Sequence, residues 1–553
     1  MPPTGGTFTF CNYPYLFAGL FVNLQYNSIS HFLVKFEGGT SMKLNYKRTI
    51  LVGFAFFLIS AFWQAYDATI PVILTNKFGM SQTWSGVIMA LDNILAVFML
   101  PIFGALSDKC LGNKFGKRTP FITIGTIVAA VALIGLSFVD SAQLKNIDAV
   151  ATLDDPDALA VIYDTQSHKE LMTPDGDKFV LENEFTKEEF TAIRTTKGDT
   201  TNPDYTNYVA PARQAYAADA TKSNVTALVL FVLLLLVILV AMAIFRSPAV
   251  ALMPDVTIKP LRSKGNAVIN LMGTAGGILV LVLGMVFSTS AVANQLMNYT
   301  AYYCVIAGIM LGALAIFLFT VKEKAWARQM QKDSMRFGIE EETLDSESKG
   351  SLSAAEKRSL LFILSSIALW YFGYNAVTSK YAVYAGNILN MDYNTTLLLA
   401  QAAAIVAYMP AGIVASKIGR KKTIMAGVIM LTTAFACASL LRSGSSVLLM
   451  NVLFALAGIG WATINVNSFP MVVEMCSGAD IGKYTGFYYT ASMSAQIVTP
   501  MLSGLLMDNM GMTVLFPYAA IFAALAFFTM AMVRHGDAKP EVKKGLEALD
   551  TDD

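Results

Sequence analysis

Apolar residues recur along the chain in runs about as long as a bilayer span, which takes about 20 residues. Such runs lie near 49–74, 83–106, 119–139, 225–250, 266–289, 299–321, 359–388, 395–415, 422–441, 446–470, 484–507 and 512–533. They predict an all-α membrane protein with twelve transmembrane helices. Gly and Pro recur inside the runs, which membrane helices tolerate better than soluble ones. Two of the polar stretches between runs are long. Segment 322–357 is charged and separates six runs from six, so the helices fall into two six-helix bundles. Segment 140–224 follows the third run and is acid-rich, with Asp154, Asp155, Asp157, Asp175, Asp177, Glu182, Glu184, Glu188 and Glu189. Within it, Thr186 to Arg194 reads as helical. The segment is either a small cap that meets solute first or a variable surface loop.

Basic residues orient the bundle, because cytoplasmic loops carry an excess of Lys and Arg. With the N-terminus inside, the inner loops hold Lys109, Lys114, Lys117 and Arg118, then Lys259, Arg262 and Lys264, then Lys417, Arg420, Lys421 and Lys422. The short outer loops hold little beyond Lys77 and Arg442. Both termini and 322–357 are then expected in the cytoplasm, and 140–224 outside. The organisation reads as an extension 1–42, a first bundle 43–321 carrying the insertion 140–224, a central loop 322–357, a second bundle 358–535 and a tail 536–553. Met42 opens the basic stretch Met42-Lys43-Leu44-Asn45-Tyr46-Lys47-Arg48, and Glu37 to Ser41 can be encoded by a bacterial ribosome-binding tract. The expected start is therefore Met42 and the expected source bacterial, with a genuine flexible extension as the alternative.

Composition narrows the function. The chain is 55% hydrophobic and 14% charged, with a formal net charge of +1, so nothing favours nucleic acid. His31, His168 and His535 all fall outside the apolar runs, which argues against a buried histidine proton relay. Cys11, Cys110, Cys304, Cys437 and Cys476 lie far apart without metal-ligand spacing and read as packing residues. No nucleotide-binding loop or catalytic triad appears. The expectation is no enzyme, no cofactor and no metal, with energy from an ion gradient.

The halves repeat each other. Gly104-Ala105-Leu106-Ser107-Asp108, then Gly116-Lys117-Arg118-Thr119, returns as Gly412-Ile413-Val414-Ala415-Ser416, then Gly419-Arg420-Lys421-Lys422-Thr423. Met253-Pro254-Asp255 with Arg262 to Asn266 has an echo in Val473-Glu474 with Lys483 to Gly486. Repeats of this kind underlie many transporters, with the binding site where the halves meet.

The stretch from Gly104 to Arg118 resembles the signature of the major facilitator superfamily. The resemblance covers nearly all of 43–535 and implies that family's fold and alternating access. The continuation Arg118-Thr119-Pro120-Phe121-Ile122 is similar to the sucrose/proton and glycoside–cation symporters. The stretch Arg246-Ser247-Pro248-Ala249-Val250-Ala251-Leu252-Met253-Pro254-Asp255 resembles the fourth-helix signature of the sucrose group. There are departures. Leu239 and Val250 stand where sucrose symporters carry an acid and an arginine, and Ala96 and Leu100 where melibiose-type symporters carry paired acids. Arg246, four residues before Val250, shares its helix face and is a candidate substitute for the arginine. The resemblance also implies that Gly104, Asp108, Lys117 and Arg118 serve conformational gating, and Arg246, Asp255, Arg262 and Glu474 are read with them.

Ionisable residues inside membrane helices are functional candidates by default. Asp67, Asp92 and Lys380 qualify. Asp67 and Lys380 sit at similar distances along equivalent helices of the two halves, so a charge pair that opens for substrate or proton is one reading. A purely structural pair, or a lysine reaching water at the mouth, is the other. For Asp92 the alternative is helix packing through Asn93. Sugar recognition needs hydroxyl-binding groups and flat aromatic faces. Gln64, Tyr66, Tyr371, Asn375, Gln401, Asn465, Asn467 and Gln496 supply the first, and Trp63, Trp370 and Trp461 the second. The expected protein is a monomeric, multi-pass transporter of the cell membrane. Its expected cargo is a small polar solute, a glucoside or oligosaccharide, moved with a proton or sodium ion. Efflux of amphipathic compounds and a non-transporting sugar sensor are the rival readings.

Overall fold

A computed structural model of the chain describes residues 43–110, 116–197, 200–258, 261–336, 353–473, 475 and 481–535. The chain divides into Met1–Leu44 and Asn45–Asp553, and the helices described here all belong to the second unit. Each apolar run lies on a helix. In the first half these are α1 Tyr46–Asn76, α2 Gln82–Lys109, α3 Thr119–Asn146, α4 Thr226–Val256, α5 Arg262–Val286 and α6 Thr300–Thr320. In the second they are α7 Ala354–Tyr384, α8 Tyr393–Ile418, α9 Arg420–Ala438, α10 Val447–Val473, α11 Ile481–Met510 and α12 Leu515–Ala531. Among the described residues, eleven helices are long and apolar enough to cross a membrane. The twelfth, α11, is 30 residues long but interrupted by polar residues such as Thr490, Ser492, Ser494 and Gln496.

Local chemistry sets several ends. Asn45, Ser81 and Asp392 cap α1, α2 and α8 by accepting backbone N–H bonds, and Ser353 with Glu356 forms a reciprocal capping box on α7. Each half buries its own apolar core, one around Leu58, Phe62, Phe231 and Tyr303, the other around Ile367, Trp370, Val428 and Phe516. Large apolar side chains such as Phe319, Val406 and Leu448 face outward, as lipid-facing side chains do.

The pairing of helices is twofold in pattern. α1 packs on α5 as α7 packs on α11, and α2 on α4 as α8 on α10. α3 packs on α4 as α9 on α10, and α6 lies on α1 and α3 as α12 lies on α7 and α9. The halves meet through α1 with α7, α2 with α11, and α5 with α8.

The insertion is a small folded body rather than a bare loop. After α3 it forms a helix Pro156–Gln166, a hairpin of β1 Glu170–Met172 with β2 Lys178–Val180, and a helix Lys187–Thr191. A second hairpin, β3 Thr196–Lys197 with β4 Thr200–Thr201, and a helix Ala210–Ser223 follow. Ile147, Leu159, Ile162, Leu181, Phe190 and Val209 form its own buried core. The helix expected over Thr186 to Arg194 is the capped turn Lys187–Thr191, with Thr186 and Glu189 bonding reciprocally. The insertion is rooted in the first half, where Gln214 Nε2 donates to Asn76 Oδ1 over 3.0 Å and Gln143 Nε2 to Thr221 Oγ1 over 2.9 Å. It also reaches the second half: Met512 N donates to Pro174 O over 2.7 Å, and Arg442 Nε lies 3.6 Å from Asp175 Oδ1.

Candidate functional site

A cavity of about 530 Å3 lies between the halves, lined by α1, α4, α5, α7, α8, α9 and α10. α1 contributes Trp63, Gln64 and Asp67, α4 contributes Arg246, and α5 contributes Asn270 and Thr274. Opposite them stand Tyr374 and Thr378 of α7, Gln401 and Tyr408 of α8, and Trp461 of α10. The spacing of Ser60, Trp63, Gln64 and Asp67, at three and four residues, puts all four on one face of α1. Tyr374 stacks on Trp461 with ring centroids 3.7 Å apart and planes 5° apart, and Tyr371 meets Trp461 edge-on at 5.2 Å. Trp63 Nε1 is buried without a hydrogen-bond partner. Gln401 Nε2 donates to Gln64 Oε1 over 2.6 Å, joining the halves across the cavity.

The charges in the cavity belong to the first half. Asp92 accepts from Asn93 Nδ2 at 2.8 Å and lies within electrostatic reach of Asp67 and of Arg246. Arg246 is exposed and lines the cavity. The charged neighbour of Asp67 is thus a second acid, Asp92, which in turn has Arg246 as its counter-charge. The expected pairing with Lys380 does not form: no ion pair joins them, and Lys380, wholly buried, donates from Nζ to the Gln82 carbonyl over 2.6 Å. Position along a helix gives depth but not direction, and Lys380 points at the start of α2 rather than at α1.

Other candidates scatter. Trp370 is 0% exposed, so it packs in the core of the second half and offers no face to solute. Tyr66 is buried against Phe62 and Trp63. Asn375 buries an unpartnered Nδ2 outside the cavity lining. Asn467 turns back to donate to the Thr463 carbonyl at 2.9 Å, and Asn465 is buried on the same helix. Gln496 is partly buried on α11, outside the cavity lining.

Several of the residues expected to gate form a network inside the first half. Arg118 Nε lies 2.8 Å from Asp255 Oδ2, its Nη1 bonds Ser107 Oγ, and Lys117 Nζ lies 3.9 Å from the same Asp255 oxygen. Glu323, unsuspected in the sequence, accepts from the amides of Lys117, Arg118 and Thr119 at 2.7, 2.9 and 2.8 Å and from Thr119 Oγ1 at 2.7 Å. A carboxylate on free amides at a helix start is favourable by charge and by hydrogen bonding. Gly104 packs against α4, where a Cβ would stand 2.8 Å from Ser247 Oγ. Arg262 donates to the carbonyls of Pro254 and Thr257. The Asp108 side chain and Glu474 lie outside the described residues.

At the insertion end, contacts cross between the halves. Asp508 of α11 accepts from Gln82 N and Thr83 N at 2.7 Å each and from Thr83 Oγ1 at 2.5 Å. Lys380 holds the Gln82 carbonyl, Ser290 Oγ donates to Asp392 Oδ1 over 2.5 Å, and Thr289 shares a 2.8 Å bond with Tyr393. Nearby, Lys77 and Asp140 form a fully buried pair at 2.7 Å that ties α1 to α3, with Met297 O as a further acceptor. Neither residue stood out in the sequence, because Lys77 fell in a predicted loop and Asp140 at the predicted start of the insertion.

The described part of the chain is thus two helical halves with a cavity between them. Residues 392–550 match the family described as Major Facilitator Superfamily, and residues 51–144 match the one described as MFS/sugar transport protein. Neither match covers half of the chain; each segment is similar to transporters of the major facilitator superfamily. A curated relative, the MFS-type transporter ppzB of Metarhizium rileyi, is 26% identical over 152 residues. That match spans 27% of this chain and 30% of the relative's length. The inward-open xylose transporter XylE from E. coli aligns over 91% of this chain and 99% of its own, with TM-score 0.55 and 15% identity. A bacterial homologue of the human lysosomal transporter Spinster, inward-facing and occupied, aligns over 89% and 97%, with TM-score 0.55 and 11% identity. At such identities these structures speak for the fold alone.

Proposed function

We propose that the protein moves a glucoside or short oligosaccharide across the cell membrane together with a proton, by alternating access. The observation that carries this reading is the make-up of the central cavity. Amide groups from Gln64, Asn270 and Gln401 and aromatic faces from Trp63, Tyr374 and Trp461 surround one carboxylate, Asp67. Amides bond hydroxyls, flat rings cover the apolar faces of sugar rings, and a carboxylate in a low-dielectric site is suited to exchange a proton. The match of 51–144 to a sugar-transport family supports the same cargo. In this reading the insertion faces outside, the loop between α6 and α7 faces the cytoplasm, and the chain works as a monomer.

The test is uptake of labelled sucrose, melibiose and methyl β-glucoside into proteoliposomes, with and without an imposed pH gradient. Accumulation is expected only with the gradient. Asp67→Asn is expected to abolish accumulation while sugar exchange without a gradient survives, because a neutral amide cannot cycle a proton. Accumulation by Asp67→Asn at the unaltered rate would remove Asp67 from coupling. Failure of all three sugars to exchange would point to efflux of amphipathic compounds or to a sensor.

A further inference from the structure

The insertion is fixed to the two halves unequally. Both of its chain ends run into the first half, at α3 and α4. Its last helix, Ala210–Ser223, lies on the turn between α1 and α2, where a Cβ on Gly79 would stand 2.3 Å from the Gln214 carbonyl oxygen. Gln214 is bonded to Asn76, Thr221 to Gln143, and Tyr205 Oη donates to Gln295 Oε1 over 3.4 Å. Lifting the insertion off the first half would break all of these bonds together.

The second half is met by the tip of one hairpin. The tip, 173–177, is stiffened by its own bonds. Thr173 N donates to Asp177 O over 2.8 Å, Gly176 N to Thr173 O over 2.9 Å and Asp177 N to Thr173 Oγ1 over 3.1 Å. The tip therefore engages or leaves as one piece. Its Pro174 carbonyl accepts the Met512 N–H, at the turn between α11 and α12, and Asp175 faces Arg442 of the turn between α9 and α10. Both side chains of that ion pair are about half exposed, and such a pair is worth little. One backbone hydrogen bond is then the main polar tie, and its net worth is a bias of about tenfold. A tie of that size breaks readily, whereas the root in the first half holds.

We propose that the insertion is a latch. It rides on the first half, holds the insertion end shut by resting its hairpin tip on the turn between α11 and α12, and lets go when the halves part there. This inference rests on the alternating access of the reading above and adds the part that sets how often that end opens.

Distances between pairs of spin labels in the full-length protein, with the native cysteines replaced by serine, test it. One pair, on Thr165→Cys and Val225→Cys, spans the insertion and the first half. A second pair, on Thr165→Cys and Asn509→Cys, spans the insertion and the second half, and all three positions are exposed. A third pair, on α2 and α11 near that end, reports the halves themselves. The first distance is expected to stay single and fixed. The second is expected to show a short and a long population, and Met512→Pro is expected to raise the long one relative to the short one about tenfold. That variant removes the N–H at the first position of the helical turn Met512–Val514, a place that accepts proline. A first distance that lengthens with the second overturns the latch. So does a second distance that Met512→Pro leaves unchanged while the third pair reports two populations, and alternating access then stands. A single distance for every pair, in the unaltered protein and in Met512→Pro, overturns both. If Met512→Pro does not fold, as judged by gel filtration, Arg442→Ala decides, with an expected rise of about threefold.

Discussion

The two ends of the bundle use the same chemistry for different work. At the loop end, Arg118, Asp255, Ser107 and Glu323 bind one another and the start of α3 within the first half. That network fixes α2, α3, α4 and the helix Glu323–Arg336 as one body. At the insertion end, Asp508 and Lys380 of the second half grip the backbone of Gln82 and Thr83 in the first. The comparison teaches that a charged residue can either stiffen a moving part or fasten it to its counterpart. Which it does depends on which body carries its partner. Both gripping charges belong to the second half, so parting the halves breaks their bonds to Gln82 and Thr83.

The largest effect is expected beneath the seal. Lys77→Met leaves Asp140 buried and alone, a change that costs about 3–5 kcal/mol and should lower the melting temperature in detergent steeply. Lys77→Met with Asp140→Leu should recover most of the loss. An unchanged melting temperature in the single variant would mean that the pair contributes nothing to the insertion end. Next, Asp508→Ala removes a charged acceptor, worth about 1.5–3 kcal/mol, and should shift the population toward the form open at the insertion end. Spin labels on α2 and α11 near that end should read longer distances. Asp255→Ala should lower thermal stability while leaving those distances as they are. If both variants lengthen the distance equally, the contrast between the ends fails.

A smaller effect attaches to Asp392, which caps α8 and holds Ser290 of the other half. Burial pushes its carboxyl up, but hydrogen bonds from Ser290, Thr395 and Asn394 outweigh this and hold it below the usual range. Its contribution is then complete above the ordinary carboxylate pKa and is lost as pH falls through the lowered one. Asp392→Asn should cost about 0.5–2 kcal/mol at neutral pH, as lost caps do, and the variant and the unaltered protein should converge in strong acid. Divergence on acidification would reverse the sign. The smallest expected effect is a near-absence of coupling. Asp67→Asn and Lys380→Ala should combine within about 0.3–0.5 kcal/mol of additivity, because they share no partner. A coupling well above that would restore the pair that the structure separates.

Much of the fold was legible because a bilayer demands long apolar helices, and each of the twelve runs lies on one. The ends were less so. α3 runs on to Asn146, past the expected limit at 139, because Asp140 and Gln143 are satisfied inside the protein, on Lys77 and its carbonyl. α7 begins at Ala354 rather than 359, since the Ser353–Glu356 box starts the helix before its apolar part. The cavity was half legible. Gln64 and Asp67 stand out as polar residues in an apolar run, but Asn270, Thr274 and Tyr408 carried no comparable signal. Asp508 and Glu323 acquire their roles from partners more than 200 positions away, which no local pattern encodes.

Where the insertion meets the second half, no side chain stands between the two backbones. A Cβ on Gly176 would lie 2.5 Å from the carbonyl oxygen of Met510, and one on Gly511 equally close to the amide nitrogen of Gly176. Both glycines have positive φ, +102° and +88°. A contact of this kind admits no conservative replacement, since even alanine meets both a clash and an unfavourable backbone. In a library of random variants selected for transport, positions 176 and 511 should therefore tolerate fewer substitutions than the acidic residues around them. A surface segment that looks free to vary would carry at Gly176 a site with little tolerance for change, set against a second such site, Gly511, in the other half.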